Sequence, residues 1–346
     1  MSLNLIPIKA FLGKYYSELN YSSVQEKYKN TKLDTFFEQR FYIQNNKVQM
    51  IIDPGLVGLQ VGIQGNEIHI SKDLYDHPNV VITNTIENIN QTSNPKSLYN
   101  PETFSSLAYL ICENQTIFQI IGEIDQPIYV KYRTDYECFY SSVTLFEVVS
   151  DISIEIVEEI ESWSAINLMT NYVVRPRGNI KLTTFYQNSI PGISFTARNV
   201  IVQENASFDH MVLGKGSSNI IDEIKLHAYE NSRSEFLGIV NSANRNFHSV
   251  LVVQPMSENY KVNVDYRNIM SENADVTFYP VILGQEPLGK ATILVTDMKI
   301  EEIPEDTIEN ELKKFLDDMI NRFVLERMQG VKRFYDNKSK FFHLHK

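Results

Sequence analysis

Cysteine is scarce in this 346-residue chain: Cys112 and Cys138 are the only two, too few for a disulfide framework. Their neighbours Ile111 and Phe139 point to burial of both thiols. No stretch reaches the roughly 18 uninterrupted apolar residues of a membrane span. The opening Met1-Ser2-Leu3-Asn4-Leu5-Ile6-Pro7 has neither a basic region nor a long apolar one, so the expected location is the cytoplasm. Positive charge is also short, with 32 Lys and Arg against 43 Asp and Glu and a net charge of −11, which argues against nucleic acid as the main ligand. Hairpin dipeptides are few, which disfavours a sandwich or meander.

The signatures of catalysis are missing as well. Leu213-Gly214-Lys215-Gly216 carries a Gly-Lys pair, but a phosphate-binding loop needs a further glycine at position 209, which is Asp. No Gly-x-Ser-x-Gly elbow occurs. Paired metal ligands at short spacing are absent apart from His343 and His345 near the end of the chain. His210, His227 and His248 fall on successive repeat units, where stacking could bring them together. Glu158-Glu159 and Glu301-Glu302 are adjacent, so on a strand they face opposite sides, and they read as solvated charge. No catalytic residue and no metal ligand is assigned, and the chain is expected not to be an enzyme.

What the chain does have is 43% hydrophobic residues, ample for a core, and a repeat. Gly178-Asn179, Glu204-Asn205 and Glu230-Asn231 each precede a run that can be extended, with the asparagines 26 residues apart both times. Looser copies stand at Asp125-Gln126, Asp151 and Glu272-Asn273. Asn and Asp tolerate the left-handed conformation of tight corners, and a fixed period of this size marks stacked rungs. The expected fold is mainly β, a right-handed parallel β-helix (solenoid) flanked by N-terminal and C-terminal helical segments.

The expected division is 1–103 as an N-terminal helical and extended segment, 104–303 as the β-helix core, and 304–346 as a C-terminal helical segment and tail. Ile8, Phe11, Leu12, Tyr15, Tyr16 and Leu19 form one stripe at helical spacing. Leu59, Val61 and Ile63 alternate, with Ile68 and Ile70 after Gly65-Asn66, and residues 84–103 read as a linker. After Pro304, the residues Ile308, Leu312, Phe315, Leu316, Met319, Ile320, Phe323 and Val324 make a broad apolar stripe. Such a stripe must pack on the solenoid or carry a partner. Ile308, Leu312, Phe315, Leu316, Met319, Ile320 and Phe323 are therefore the candidate partner-binding residues. The tail, Lys332-Arg333-Phe334-Tyr335 onward, is basic and aromatic.

Two passages carry a resemblance. Arg198-Asn199-Val200-Ile201-Val202-Gln203-Glu204-Asn205-Ala206-Ser207-Phe208-Asp209-His210, followed by Glu223 through Gly238, resembles the β-helix core of the SufB/SufD family of iron–sulfur cluster assembly scaffolds. Asp265-Tyr266-Arg267-Asn268 through Pro280 looks like that family's passage before a short acidic turn and a proline. The likeness covers roughly residues 104 to 330. It implies a scaffold that docks a SufC-like ABC ATPase through its C-terminal helices, pairs with a SufB-like or SufD-like subunit, and serves a transient iron–sulfur cluster at the level of the complex. The family's Cys-x-His-Gly-Ala-type segment has no counterpart here: residues 281–292 contain neither Cys nor His, so the ligands do not carry over and the chain looks SufD-like. The alternative is a β-helix that binds or cleaves saccharide, or a structural fibre or virion component, with Tyr129, Tyr132, Tyr136 and Tyr140 as a candidate aromatic surface.

Overall fold

The computed structural model describes residues 6–13, 38–43, 58–64, 67–83, 107–112, 115–135, 137–188, 192–216, 219–242, 246–270, 275–283, 290–299 and 310. The N-terminal part holds β1 (Ile6–Pro7), α1 (Ile8–Leu12), β2 (Arg40–Ile43), β3 (Leu59–Gln64), β4 (Glu67–Ile70), α2 (Lys72–Tyr75) and β5 (Val80–Thr83). Then come α3 (Ala108–Ile111), β6 (Thr116–Ile120), β7 (Ile128–Arg133), β8 (Cys138–Val148), β9 (Ser153–Glu161), β10 (Ala165–Val174), β11 (Asn179–Asn188) and β12 (Ile193–Val202). The series closes with β13 (Ser207–Gly216), β14 (Asn219–Ala228), β15 (Ser232–Ser242), β16 (Asn246–Pro255), β17 (Tyr260–Met270), β18 (Asp275–Ile282) and β19 (Lys290–Lys299).

From β8 onward the chain alternates between two sheets. Sheet I runs β8-β10-β12-β14-β16-β18 and sheet II runs β7-β9-β11-β13-β15-β17-β19, every neighbour parallel. This is a flattened β-solenoid of about five turns, two strands to a turn. Each rung leaves a strand edge that the next rung covers, which is why, from β7 to β19, consecutive odd strands pair with each other and not with the strand that follows in sequence.

At one edge the sheets are joined by tight turns of three or four residues. Asp151, Arg177, Asn205 and Asn231 occupy their corners at φ of 65°, 62°, 58° and 55°. Ala206 N–H bonds Gln203 O at 3.1 Å and Ser232 N–H bonds Tyr229 O at 3.1 Å, closing the turns. The corner amides also stack from rung to rung, Arg177 N–H on Glu204 O at 3.1 Å and Asn205 N–H on Glu230 O at 3.0 Å. Asn205, Asn231 and Asp151 thus sit where the repeat places them.

Asn179 does not. It opens β11 beside Ser207, so the rung step there is 28 residues, whereas Ile193 to Asn219 is a step of 26. The corner belongs to Arg177, whose side chain reaches Asp151 through Nε at 2.5 Å and Nη2 at 2.8 Å. Gly178 follows because a Cβ there would stand 3.0 Å from Arg175 O. The even spacing of three asparagines therefore mixes two different positions of the rung.

The N-terminal strands extend the same sheets. β3 pairs in parallel with β7, Leu59 beside Ile128, and β2 pairs with β8. β3 and β4 pair antiparallel, with Gln64 facing Glu67. The helical elements with described ends are α1, α2 and α3, each four or five residues long, and Asn310 is a further helical residue. Ile8 of the N-terminal stripe is buried in α1. Tyr15, Tyr16, Leu19, the 84–103 linker, the candidate docking residues Ile308, Leu312, Phe315, Leu316, Met319, Ile320 and Phe323, and the tail lie outside the described residues.

Candidate functional site

Inward side chains alternate along each strand, and the interior divides into two halves. Near the tight corners it is apolar: Ile154, Ile180, Phe208, Val174, Val202 and Ala228 are all buried there. A ladder of rings climbs through it, Phe118 on Phe146 at 4.8 Å and Phe146 on Tyr172 at 5.6 Å between centroids, both nearly parallel. Towards the other edge inward polar positions join the apolar Ile160, Ile166 and Leu168: Thr144, Thr170 and Arg198 on sheet I, with Glu158, Thr184, Tyr186 and His210 facing them from sheet II.

Arg198 is the centre of this half. It is 2% exposed, between Glu158 at 1% and Asp222 at 0%. Its Nη2 donates to Glu158 Oε2 at 2.8 Å and its Nη1 to Asp222 Oδ1. Glu158 also accepts from the Tyr172 hydroxyl and from Thr184 Oγ1 at 3.1 Å. Asp222 Oδ1 accepts in addition from Tyr186 at 2.9 Å and Thr196 at 2.7 Å. Thr184 Oγ1 lies 3.0 Å from His210 Nε2, which joins an imidazole to the set.

Sealing these groups from water sets their protonation. Burial, reinforced by the charge of Glu158, raises the Tyr172 phenol well above its ordinary range. Burial, with Arg198 nearby, holds the His210 imidazole well below 6.5, so it is neutral. With each carboxylate accepting three hydrogen bonds and sharing one guanidinium, the network ties β9, β11, β12 and β14 together across the two sheets. A buried ionic set of this kind specifies which strands face each other, because any other register would strand a charge.

A second polar patch lies on the outer face of sheet I under α3. The Tyr109 hydroxyl donates to Asn171 Oδ1 at 2.8 Å, and Asn199 Nδ2 donates to the same atom at 3.2 Å. Cys112, Val143, Met169 and Ala197 pack beside them. Burial pushes the Cys112 thiol up to about 12, so it stays protonated. Both cysteines are buried, and neither forms a disulfide.

The histidine trio is not brought together. His210 points into the interior from β13, whereas His227 and His248 stand on the other sheet, His248 beside Ile221 and His227 beside Gln254. Among the described residues no group of three or more His, Cys, Asp or Glu is placed to hold a metal ion. The thiolate donors an iron–sulfur cluster prefers are also not assembled by the described residues. Tyr132 and Tyr140 are 1% exposed, which removes them from any aromatic surface and leaves Tyr129 half-buried beside them.

Glu158 overturns the reading of its pair as solvated charge. Glu158 and Glu159 do face opposite sides, but Glu158 faces the core, while Glu159 pairs outside with Lys131 at 3.2 Å. The signal was present: Ile154, Ile156, Glu158 and Ile160 share one alternating face. Asp222 between Ile220 and Ile224, and His210 between Phe208 and Val212, occupy the same kind of slot.

No family model and no curated protein matches this chain. No helix among the described residues is long and apolar enough to cross a membrane.

Proposed function

We propose that this protein is a non-catalytic scaffold subunit of a Suf-type iron–sulfur cluster assembly complex, a SufD-like member that pairs through its solenoid and docks an ABC-type ATPase. The observation that carries the reading is the end of the solenoid. β18 and β19 are the last described strands of their sheets, and Val281, Leu283, Ile293 and Leu294 around them are 40 to 49% exposed. Ile293 is in register with Val264 of the core, so an inward position of the rung series is exposed at the last described rung. A strand edge beside apolar side chains is what β-augmentation by a second subunit requires. The sealed polar interior supports the same reading, since its charged groups are buried and tie the two sheets together.

In this reading the apolar stripe from Ile308 to Phe323 receives the ATPase. A pull-down from the native source under low oxygen, with mass spectrometry and iron and sulfide assays on one eluate, tests the whole proposal. Recovery of a SufC-like ATPase upholds it, and its absence together with absence of iron rejects it. The docking part is tested by Leu312→Glu, Phe315→Glu and Met319→Glu in one chain. ATPase retention by that variant, still folded by circular dichroism, would sink it.

A further inference from the structure

Asp222 uses its two oxygens very unequally. Oδ1 accepts from Arg198, Tyr186 and Thr196, while Oδ2, sealed in the interior, has no hydrogen-bond partner among the described residues. Either protonation state leaves this atom in need of a neighbour, an acceptor if it carries a proton and a donor or a cation if it does not. Two other buried atoms are in the same condition. Ser249 Oγ is on β16, directly beside Asp222 in the register of sheet I, and the Tyr266 hydroxyl comes from β17 on the opposite sheet.

Register and ring packing place these three side chains on adjacent rungs of the interior. Tyr266 stacks on Phe278 at 4.1 Å between ring centroids and 16° between planes, and Phe278 is the register neighbour of Ser249 on the next rung. The neighbouring strand of the same sheet, β15, makes room for the ring with Gly238, whose Cα lies so close that a Cβ would stand 2.5 Å from Tyr266 Cδ1. Phe247 closes the other side against Tyr186 at 6.2 Å. Composition points the same way: the sealed cluster sets two acidic side chains, Glu158 and Asp222, against the single guanidinium of Arg198.

We infer that Asp222 Oδ2, Ser249 Oγ and the Tyr266 hydroxyl form an internal binding site for one water-sized guest that presents O–H donors or a single positive charge. Water and a monovalent cation share that chemistry. The all-oxygen donor set suits a hard monocation and offers nothing to a soft metal. A guest here links β14, β16 and β17 and completes the polar half of the interior one rung beyond Arg198.

The test is a crystal structure of the full chain grown with rubidium in place of sodium, with data collected at the rubidium edge. The expected result is density about 2.8 Å from all three oxygens. An anomalous peak there identifies a monocation and a peak without anomalous signal identifies water, both upholding the site. Absence of density, or a direct hydrogen bond between Tyr266 and Asp222, overturns it. In solution, Ser249→Val removes one ligand atom and fills its space, and it is expected to lower the melting temperature by several degrees. A variant that melts at or above the wild-type temperature would likewise overturn the site.

Discussion

Arg198 on β12 and Glu158 on β9 stand 40 residues apart in the chain and 2.8 Å apart across the interior of the solenoid. With Asp222 on the far side, the guanidinium neutralises part of two buried carboxylates that have no solvent to fall back on. Arg198→Met removes that shared cation and is expected to cost about 3–5 kcal/mol, the range for breaking a buried ion pair from one side. Adding Glu158→Gln and Asp222→Asn to the same chain is expected to recover most of the loss, because an uncharged set needs no counter-ion. Urea denaturation of the three proteins decides it. A single-variant loss below about 1 kcal/mol would mean that the carboxylates are not charged in the folded chain.

The corner residues give a second expectation. Asn205 sits at φ 58°, a conformation that Asn tolerates and a β-branched residue does not. Asn205→Val is expected to destabilise by about 1–2 kcal/mol, whereas Asn205→Gly is expected to fall within about 0.5 kcal/mol of wild type. Equal losses for the two would place the importance of Asn205 in its side-chain contacts instead of its backbone.

Stability should respond to pH through two groups of opposite sign. His210 is held well below 6.5 by burial and by Arg198, so below that pH the unfolded chain takes up a proton that the folded chain refuses. The unfolded state then binds more protons, and stability falls as pH drops below 6.5. Asp209 is pushed from 3.8 up to about 6 by burial and by its register neighbour Glu235. Between those values the folded chain keeps a proton that the unfolded chain has released, so this group adds stability as pH falls from about 6 towards 3.8. His210→Gln is expected to remove the first slope. Asp209→Asn is expected to raise stability at pH 7.5 by on the order of 1 kcal/mol after solvent screening, with the gain gone below pH 4. Thermal melts across that range separate the two. An Asp209→Asn chain that is no more stable at neutral pH would contradict the assignment.

The solenoid was legible because its corners demand particular residues. Asp151, Asn205 and Asn231 hold left-handed positions that few side chains accept, and that demand is written into the sequence. The corner at Arg177 escaped because arginine carries no such signal, so Asn179 two residues later took its place in the period. The polar interior was half legible. Strand alternation assigns Glu158, Asp222 and His210 to the inward face once it is applied to charged residues as strictly as to apolar ones. What alternation cannot supply is the partner across the gap. Glu158 meets Arg198 only because rung steps of 26 and 28 residues bring β9 opposite β12, and those steps depend on turns at the looser edge that follow no repeating phrase.

Gly238 offers the sharpest test of packing between rungs. Its position on β15 faces the ring of Tyr266 on β17, and an added Cβ would stand 2.5 Å from both Cδ1 and Cε1. In the wild-type background Gly238→Ala must push the ring off Phe278, with an expected cost of about 1–3 kcal/mol for overpacking. In a Tyr266→Ala background the obstacle is gone, and alanine is favoured over glycine in a strand by roughly 0.5–1 kcal/mol, so the same substitution is expected to be neutral or stabilising. The change of sign between the two backgrounds, read from thermal denaturation of the four chains, measures the contact directly. An identical penalty in both would locate the requirement for glycine in the backbone of β15, with the Tyr266 ring free to be placed elsewhere.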